Sequence, residues 1–407
     1  MQTHTNQFTM NRRNFIRTTS LASGALFIPS FLKAFELKTG AVAGNRTLVV
    51  IQLSGGNDGL NTIVPFENDL YYSKRKSLAL PKNEIIRLND QLGMNPVMQA
   101  LKEMYDQGWM SVLNNVGYPN PDRSHFRSMD IWQSASEANE YLSTGWIGRY
   151  LDSSCSGCEK PYNAIEVDDT LSLAMKGNTK KGIAVRDIDK LFNTTREPFF
   201  KGVANASKPE MLDEHNLGYL YKTMIETYSS AEYIDSTSKT FQVKAEYPDS
   251  AFAKQLRMIS RFIQSGLSTK VYYVSLTGFD THVGQKGTQN RLLKEYAEGI
   301  SAFLKDLKSG GKLDDTLVMT FSEFGRRVEQ NASDGTDHGT ANNLFLYGGR
   351  LNKKGIYNEG PDLSDLDEGD LKYKIDFRSV YATIMNKWLQ VDDTSILNQH
   401  FAQMDII

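Results

Sequence analysis

The sequence has few cysteines and no excess of charge of either sign. Among its 407 residues there are two cysteines, and 46 Lys and Arg nearly balance 48 Asp and Glu, for a formal net charge of −2. A chain without a strong electrostatic field gives no reason to expect nucleic acid or an anionic membrane as a partner. We therefore predict neither.

Long hydrophobic runs are lacking as well. After the N-terminal segment, no stretch reaches the length of a transmembrane helix. Hydrophobic residues make up 40% of the chain and charged residues 23%, which is typical of a soluble globular protein with a sizeable core. P-loop spacing and a G-x-S-x-G elbow are also missing from the Gly-rich "LSGGNDG" stretch, so nucleotide binding and an α/β-hydrolase nucleophile at Ser54 are poorly supported.

The two cysteines, Cys155 and Cys158, lie close together in "SSCSGCEKPY". In an exported protein such a pair favours a local disulfide, whereas a zinc site would require two further ligands close by. We favour the disulfide, and the sequence leaves the zinc alternative open.

The N-terminus reads as an export signal. The paired Arg12 and Arg13, followed by Phe15, match the twin-arginine pattern, and a weakly apolar stretch interrupted by glycine and proline comes next. We predict a signal peptide over residues 1–43, with cleavage near Ala43, and a periplasmic or extracellular location. A basic disordered N-terminus and an uncleaved anchor are the alternatives.

Strand-like runs alternate with helical patterns along the rest of the chain, which predicts α/β layers over residues 44–407. Residues 292–307 have apolar positions at helical spacing and end at Gly310, residues 191–268 predict a helical insertion or cap, and "DFRSVYATIMNKWL" predicts a closing amphipathic helix. The predicted strands are Leu48–Leu53, Ser111–Val116, Val271–Leu276, Leu317–Phe321 and Leu344–Tyr347.

Metal-competent side chains follow several of these strands. In an α/β sheet the segments beyond the carboxyl ends of the strands converge, so residues distant in sequence can meet there. Carboxylates mixed with imidazoles suit zinc, with manganese as the alternative, better than calcium. The predicted metal ligands are Asp58, Asp280, His282, Glu323, Asp337 and His338. Each motif alone could instead be a turn stabilised by aspartate hydrogen bonds.

The glycines of "SGGNDG" come directly after the first strand. Glycine lets a backbone approach another group closely. We expect that here the backbone approaches an ion or phosphate while Asp58 binds the metal.

A second cluster lies in "PNPDRSHFRSMDIW", where a helical pattern starts at Ser124. Ser124 is then either a simple helix cap or a nucleophile, since a helix N-terminus favours a bound phosphate or sulfate. We assign Ser124, His125 and Arg123 to catalysis. Arg123 and Arg127 are candidates for binding the oxygens of the anion, or are solvated surface charges.

An ordered series of motifs, "LSGGNDGLNTIVP", "RSHF", "GFDTH", "FSEFGRR" and "DHGTAN", resembles the bacterial exported family called domain of unknown function fifteen-oh-one. That family is grouped with the alkaline phosphatase and sulfatase superfamily. The resemblance implies a three-layer α/β/α sandwich with a helical insertion, bimetal hydrolase ancestry and the site residues named above. Asp58 resembles the first metal-binding aspartate and Ser124 the nucleophile.

The chain also departs from the superfamily pattern. Glu-Phe in "SEFGR" replaces the usual Asp-His pair, and the cysteine motif of sulfatases is absent. We therefore expect a metal-dependent hydrolase of phosphate esters, less so of sulfate esters, with one or two zinc ions and a small-molecule or glycan ester as substrate. The alternative is a non-catalytic exported binding or assembly protein that handles surface polysaccharide or a protein partner.

Overall fold

The computed structural model describes residues 46–153, 160–205 and 215–407, without the side chains of residues 203–221. The predicted signal peptide and the Cys155–Cys158 pair lie outside these residues, so both remain predictions. Among the described helices, none is both long enough and apolar enough to cross a membrane.

The strands and helices alternate along the chain. The strands are β1 Thr47–Ser54, β2 Ile63–Val64, β3 Ile86–Arg87, β4 Gly93–Met94, β5 Met110–Gly117, β6 Ala164–Glu166, β7 Ile183–Ala184, β8 Val271–Thr277, β9 Thr316–Phe321, β10 Asn342–Tyr347, β11 Gly355–Ile356, β12 Leu366–Asp367, β13 Asp370–Leu371 and β14 Ile375–Asp376. The helices are α1 Asp69–Lys74, α2 Lys102–Asp106, α3 His125–Ser134, α4 Trp146–Ser153, α5 Ile188–Thr195, α6 Pro198–Asn205, α7 His215–Ser238, α8 Ala251–Gln264, α9 Gln285–Ser309, α10 Phe377–Thr383 and α11 Thr394–Leu397.

A nine-stranded, mostly parallel sheet forms the centre of the molecule. Its order is β11-β5-β10-β9-β1-β8-β6-β7, with β14 also pairing with β5. Only β10 runs antiparallel to its neighbours β5 and β9. Strand β1 lies between β9 and β8 and is parallel to both. The carboxyl ends of these three strands therefore open at the same edge of the sheet.

Strand β1 explains why the fold has three layers. Its side chains are buried on both faces: Val49, Ile51 and Leu53 pack in one core and Leu48 and Val50 in the other. A run of β-branched and leucine side chains without polar alternation is typical of a strand covered by helices on both sides. The predicted α/β sandwich is confirmed, and each of the five predicted strands lies within an observed one.

The predicted helices are also present, with one difference in their role. The described residues of the segment 191–268 are largely helical, and its last helix, α8, belongs to the main core. Phe252, Leu256 and Ile259 of α8 are buried in the same cluster as α9, and Gly299 of α9 allows a close approach to Phe252. The apolar stripe of α8 is thus buried against the sandwich rather than in a separate cap.

Glu166, at the end of β6, is the buried carboxyl group with a clear consequence for stability. Its side chain accepts a hydrogen bond from the Ser172 N–H at 2.6 Å, and burial raises its pKa from 4.5 to about 7. Between these two pH values the folded protein binds the proton that the unfolded chain has lost. Stability is therefore full below about pH 4.5 and falls as the pH rises to about 7.

We expect Glu166→Gln to remove this pH dependence. Relative to the wild type, the variant should gain up to about 3 kcal/mol in unfolding free energy between pH 5 and pH 8. Urea unfolding at both pH values measures it, with Glu84→Gln, a change at an exposed glutamate, as the matched control. Parallel stability curves for the wild type and Glu166→Gln would show that Glu166 titrates normally.

Candidate metal centre

Three histidines and one aspartate meet beyond the carboxyl ends of β1, β8 and β9. His125 is the first residue of α3, Asp280 and His282 lie in the loop after β8, and His338 precedes β10. Ligand atoms of His125, Asp280 and His338 all lie within 4.8 Å of one another, as a metal-binding group would require. His282 lies against the same group.

The Nε2 atoms of all three imidazoles point to one oxygen, Oδ1 of Asp280. The distances to it are 3.4 Å from His125, 3.1 Å from His282 and 3.3 Å from His338. In addition, the Nε2 atoms of His282 and His338 are only 2.9 Å apart. Four potential ligand atoms therefore surround a small volume.

The other ring nitrogen of each histidine faces an acceptor. Nδ1 of His125 lies 2.9 Å from Oε1 of Glu323, Nδ1 of His282 lies 3.1 Å from Oδ1 of Asp337, and Nδ1 of His338 lies 2.7 Å from the carbonyl oxygen of Arg123. A carbonyl or an ionised carboxylate can only accept, so Nδ1 carries the proton in each ring. In a neutral ring, the Nε2 lone pair is then directed toward Asp280.

This arrangement fits a bound cation. Two Nε2 atoms that both present lone pairs at 2.9 Å require a proton on one of them or a cation between them. His125 Nε2 is buried and makes no hydrogen bond. Metal-ligating histidines characteristically donate their other N–H to a carboxylate or a carbonyl. The donor set therefore suits a metal ion.

The electrostatics keep the carboxylates ionised. Burial raises the pKa of Asp280, but the hydrogen bond and the charge of Arg326 outweigh it, and the net pKa lies well below the ordinary value. The hydrogen bond from His282 lowers the pKa of Asp337. Burial lowers the pKa of His338, so its neutral, metal-binding form is favoured. The hydrogen bond with Glu323 raises the pKa of His125 despite burial.

Arg326 holds the loops of the centre together, a role that the sequence did not reveal. Its guanidinium is fully buried and lies 2.8 Å from Oδ1 of Asp280. It also donates to the carbonyl oxygens of Gly55, Gly56, Phe279 and Thr336. The "FSEFGRR" motif contained this signal, because an arginine beside metal-competent carboxylates needs partners when it is buried.

The glycines after β1 make close contacts within the chain, and the predicted approach to an ion or phosphate stays a prediction. Gly55 has φ +118°, and a Cβ there would lie 2.4 Å from the backbone nitrogen of Asp280. Its N–H donates to Oε1 of Glu323 at 2.7 Å. A Cβ on Gly56 would collide with the ring of Phe324. The two glycines therefore let the β1 and β8 loops and Phe324 pack closely.

Asp58 is not part of the histidine group. Its Oδ2 accepts hydrogen bonds from Arg75 and Gln285, and its Oδ1 accepts from the N–H of Leu60. Asp58 and Arg75 form an ion pair with side chains at most 1% exposed. Asp58 was predicted to bind a metal, but both oxygens of its carboxylate accept hydrogen bonds from the protein. Arg75 gave no signal in the sequence, because its partner is 17 residues away in an unrelated loop.

Glu323 and Asp337 were also predicted as ligands. Their carboxylates contact the Nδ1 atoms of His125 and His282 rather than the Nε2 atoms. Beside Glu323, the ring of Phe324 packs 4.8 Å from that of His125 and 4.7 Å from that of His338, between centroids. The Glu-Phe pair thus orients and supports imidazoles at a position where the resemblance predicted ligands.

Ser124 lies at the N-terminus of α3. It is the N-cap residue, yet its hydroxyl makes no capping hydrogen bond, and the side chain is exposed. The carboxylate of Asp122 accepts the Ser124 N–H at 2.6 Å. Ser124 thus lies at the cap position without the side-chain hydrogen bond that a helix cap usually makes. Its hydroxyl is available next to His125 and at the N-terminus of α3.

The guanidinium groups of the two nearby arginines bind other groups of the protein. The guanidinium of Arg123 pairs with Asp370, which is buried in the hairpin of β12 and β13. Arg127 is buried and donates to the carbonyl oxygens of Glu137, Ala138 and Glu140. Arg127 is therefore neither a solvated surface charge nor free to bind an anion, and Arg123 positions its carbonyl oxygen for His338.

A cavity of about 360 Å³ lies beside the centre and shares Glu323 and Phe324 with it. Its walls also include Tyr118 and Trp132, together with Tyr373 from the loop after β13. Apolar cavities beside polar groups are typical of ligand pockets.

Several solved structures are similar to the chain, at low identity. The lipoteichoic acid synthase LtaP from Listeria monocytogenes is 11% identical, with a TM-score of 0.40, and the match covers 88% of this chain and 76% of that one. The PsFucS1 sulfatase from Pseudoalteromonas sp. is 11% identical, with a TM-score of 0.39, and covers 88% and 70%. A protein in the alkaline phosphatase superfamily from Vibrio parahaemolyticus is 10% identical, with a TM-score of 0.36, and covers 88% and 71%.

At such identities and TM-scores, these similarities do not bear on activity. No curated protein matches the chain. One family model does match, over residues 109–404, and its description is a protein of unknown function, DUF1501. Because the match covers well over half of the sequence, the chain belongs to the DUF1501 family.

Proposed function

We propose that the protein is a metal-dependent hydrolase of phosphate esters that acts outside the cytoplasm. One observation carries the proposal: three Nε2 atoms meet Oδ1 of Asp280, while an acceptor faces each Nδ1. Protein structures use this pattern to hold metals, because the outer hydrogen bond fixes the ring and its tautomer.

The ligand set favours zinc. Imidazole nitrogens and carboxylate oxygens are ligand types that zinc prefers, and manganese is the alternative. His125, His282, His338 and Asp280 would hold the ion, with Glu323 and Asp337 orienting two of the rings. Within the residues described, no second group of three such side chains converges, which favours one ion over two.

A bound divalent ion would supply charge stabilisation for a phosphoryl group and lower the pKa of a nearby hydroxyl. The N-terminus of α3, a ten-residue helix, would direct its free N–H groups toward the phosphate oxygens. Ser124 Oγ would attack phosphorus, forming an Oγ–P bond as the bond to the alcohol oxygen breaks, and the proton that Oγ gives up would balance the proton that the leaving alcohol oxygen takes. Water would then hydrolyse the phosphoserine.

Phosphate esters are favoured over sulfate esters for a chemical reason. Sulfatases of the usual kind use a cysteine matured to formylglycine, and the chain has cysteines only at positions 155 and 158, far from Ser124 in sequence. A serine hydroxyl at a helix N-terminus suits attack on a phosphate ester instead.

A non-catalytic exported binding or assembly protein is the second candidate. The ion pair of Asp58 with Arg75 favours it, because the carboxylate that resembles the superfamily's first metal ligand is neutralised inside the protein. Such a protein would keep the fold and handle surface polysaccharide or a partner protein.

Metal analysis with a hydrolysis assay distinguishes the two candidates. The purified protein should contain about one equivalent of divalent metal and hydrolyse members of a panel of phosphate monoesters and diesters. Chelation should abolish turnover, and added Zn²⁺ should restore it. A metal-free protein that hydrolyses neither the phosphate esters nor a set of sulfate esters after Zn²⁺ addition would favour the binding protein.

A further inference from the structure

The acceptor that faces Nδ1 is held firmly at two of the three histidines. For His125 it is the carboxylate of Glu323, which is fully buried and also accepts the N–H of Gly55 at 2.7 Å. For His338 it is a backbone carbonyl oxygen, that of Arg123. Both acceptors are therefore fixed by the packed fold itself.

The acceptor for His282 is held less firmly by its surroundings. It is the carboxylate of Asp337, whose side chain is 57% exposed, and the side chain of His282 is 39% exposed. Contacts between exposed side chains contribute little on their own, because water competes for both partners and side-chain entropy is lost. A further group is therefore needed to keep the ring of His282 in one orientation.

Asn331 supplies such a group. Its Nδ2 donates to Oδ1 of Asp337 at 3.2 Å, and this is the oxygen that lies 3.1 Å from Nδ1 of His282. The same Nδ2 also donates to the backbone carbonyl oxygen of His282 at 2.9 Å. One amide group thus binds both the backbone of His282 and the carboxylate that faces its ring.

The amide of Asn331 is itself fixed in orientation. Its Oδ1 accepts the N–H groups of Ser333 at 2.9 Å and of Gly335 at 3.0 Å. Two acceptors face the amide nitrogen and two N–H donors face the amide oxygen, so only one orientation of the group satisfies all four partners. The turn of residues 331–335 therefore presents both N–H donors of Asn331 to the centre.

This turn also lies directly against the loop that carries His282. A Cβ on Gly335 would lie 2.1 Å from the carbonyl oxygen of His282, and the N–H of Gly284 donates to the carbonyl oxygen of Ser333 at 3.0 Å. These contacts involve only backbone atoms of the two segments. A change of the Asn331 side chain would therefore remove its hydrogen bonds to His282 and Asp337 while the backbone contacts remain.

We propose that Asn331 is a positioning residue of the metal centre, which holds Asp337 and the backbone of His282 so that Nε2 of His282 faces the ion. The inference rests on the proposed function. Groups that hydrogen-bond to a metal ligand fix its orientation, and their loss typically weakens metal binding by about tenfold to a hundredfold. Because the hydrogen bonds of Asn331 reach His282 among the proposed ligands, its effect on the ion should depend on that residue.

Metal affinity in a double-mutant cycle tests the proposal. Competition with a chelator should show that Asn331→Ala binds Zn²⁺ about tenfold more weakly than the wild type. In the His282→Ala background the same change should alter the affinity by less than about twofold, because the ligand through which it acts is gone. In the Co²⁺-loaded protein, the visible absorption spectrum of Asn331→Ala should shift toward that of His282→Ala.

Two further variants separate positioning from charge and from the stability of a turn. Asn331→Asp keeps an oxygen for the two N–H groups of its turn but has no N–H to donate. Its added negative charge alone would attract the ion, so we expect weaker Zn²⁺ binding only if the lost N–H groups matter. Asn89→Ala is the matched control, since Oδ1 of Asn89 accepts the N–H groups of Gln91 and Leu92 between β3 and β4. It should change neither the affinity nor the spectrum.

Each other outcome counts against a particular claim. Zn²⁺ binding by Asn331→Ala as tight as that of the wild type would overturn the role of Asn331 and leave the metal centre intact. An equal loss in the wild-type and His282→Ala backgrounds would also overturn that role, because Asn331 would then act on the fold and not through His282. A wild-type protein that binds neither Zn²⁺ nor Co²⁺ would overturn the proposed function together with the role of Asn331.

Discussion

His338→Ala should weaken metal binding by at least about a hundredfold, the upper range seen when only an orienting partner is lost. The change removes an Nε2 atom that lies 2.9 Å from that of His282 and 3.3 Å from Oδ1 of Asp280. The ion would lose one of the four side chains that hold it in the proposed centre. Metal content after dialysis and competition with a chelator measure the loss, and phosphate ester turnover should fall with it.

Two further variants make this result specific. His400→Ala is the matched control, because His400 is exposed and its nearest acidic partner is Asp393, so metal affinity should not change. Glu323→Gln should give a smaller loss, about tenfold to a hundredfold, since Glu323 only orients His125. If His338→Ala kept the stoichiometry and affinity of the wild type, the four-residue metal centre would be wrong.

Ser124→Ala should lower kcat for phosphate esters by about a thousandfold or more, while metal content stays unchanged. The variant lacks the hydroxyl that would form the bond to phosphorus, but it keeps every group of the metal centre. Its thermal stability should also stay close to that of the wild type, because this hydroxyl makes no capping bond. Steady-state kinetics, metal analysis and thermal unfolding together measure the three quantities.

Ser250→Ala provides the opposite pattern and so serves as the control. Ser250 is the N-cap residue of α8, and its Oγ accepts the N–H of Ala253 at 3.1 Å. Its loss should lower the unfolding free energy by about 1 kcal/mol and leave kcat unchanged. Wild-type turnover in Ser124→Ala would remove Ser124 as the nucleophile without affecting the metal centre.

Local patterns in the sequence were sufficient to predict most of the architecture. The continuous apolar run of β1 predicted a strand covered on both faces, and that is how Val49 and Val50 are buried. The three- and four-residue spacing in α9 predicted a helix, which ends at Gly310 as expected. Such patterns are readable because the period of burial is a property of the local backbone.

The partners of charged side chains could not be predicted in this way. Asp58 and Glu323 both looked like metal ligands, since each follows a strand that ends at the same edge of the sheet. The structure pairs Asp58 with Arg75 and sets Glu323 behind His125. These assignments depend on loops that converge from separate parts of the chain, and no local period describes them.

The sequence by itself determined the layered α/β architecture, the convergence of acidic and imidazole groups at one edge of the sheet, and the position of Ser124 at a helix start. Only the tertiary structure decided which groups form the candidate metal centre and which only contact them. The physical reason is that burial follows short-range periodicity, whereas a hydrogen-bond partner is chosen by distances of a few ångströms between distant segments. For this reason, only the structure shows that Asp280 lies beside three imidazoles and Asp58 beside a guanidinium.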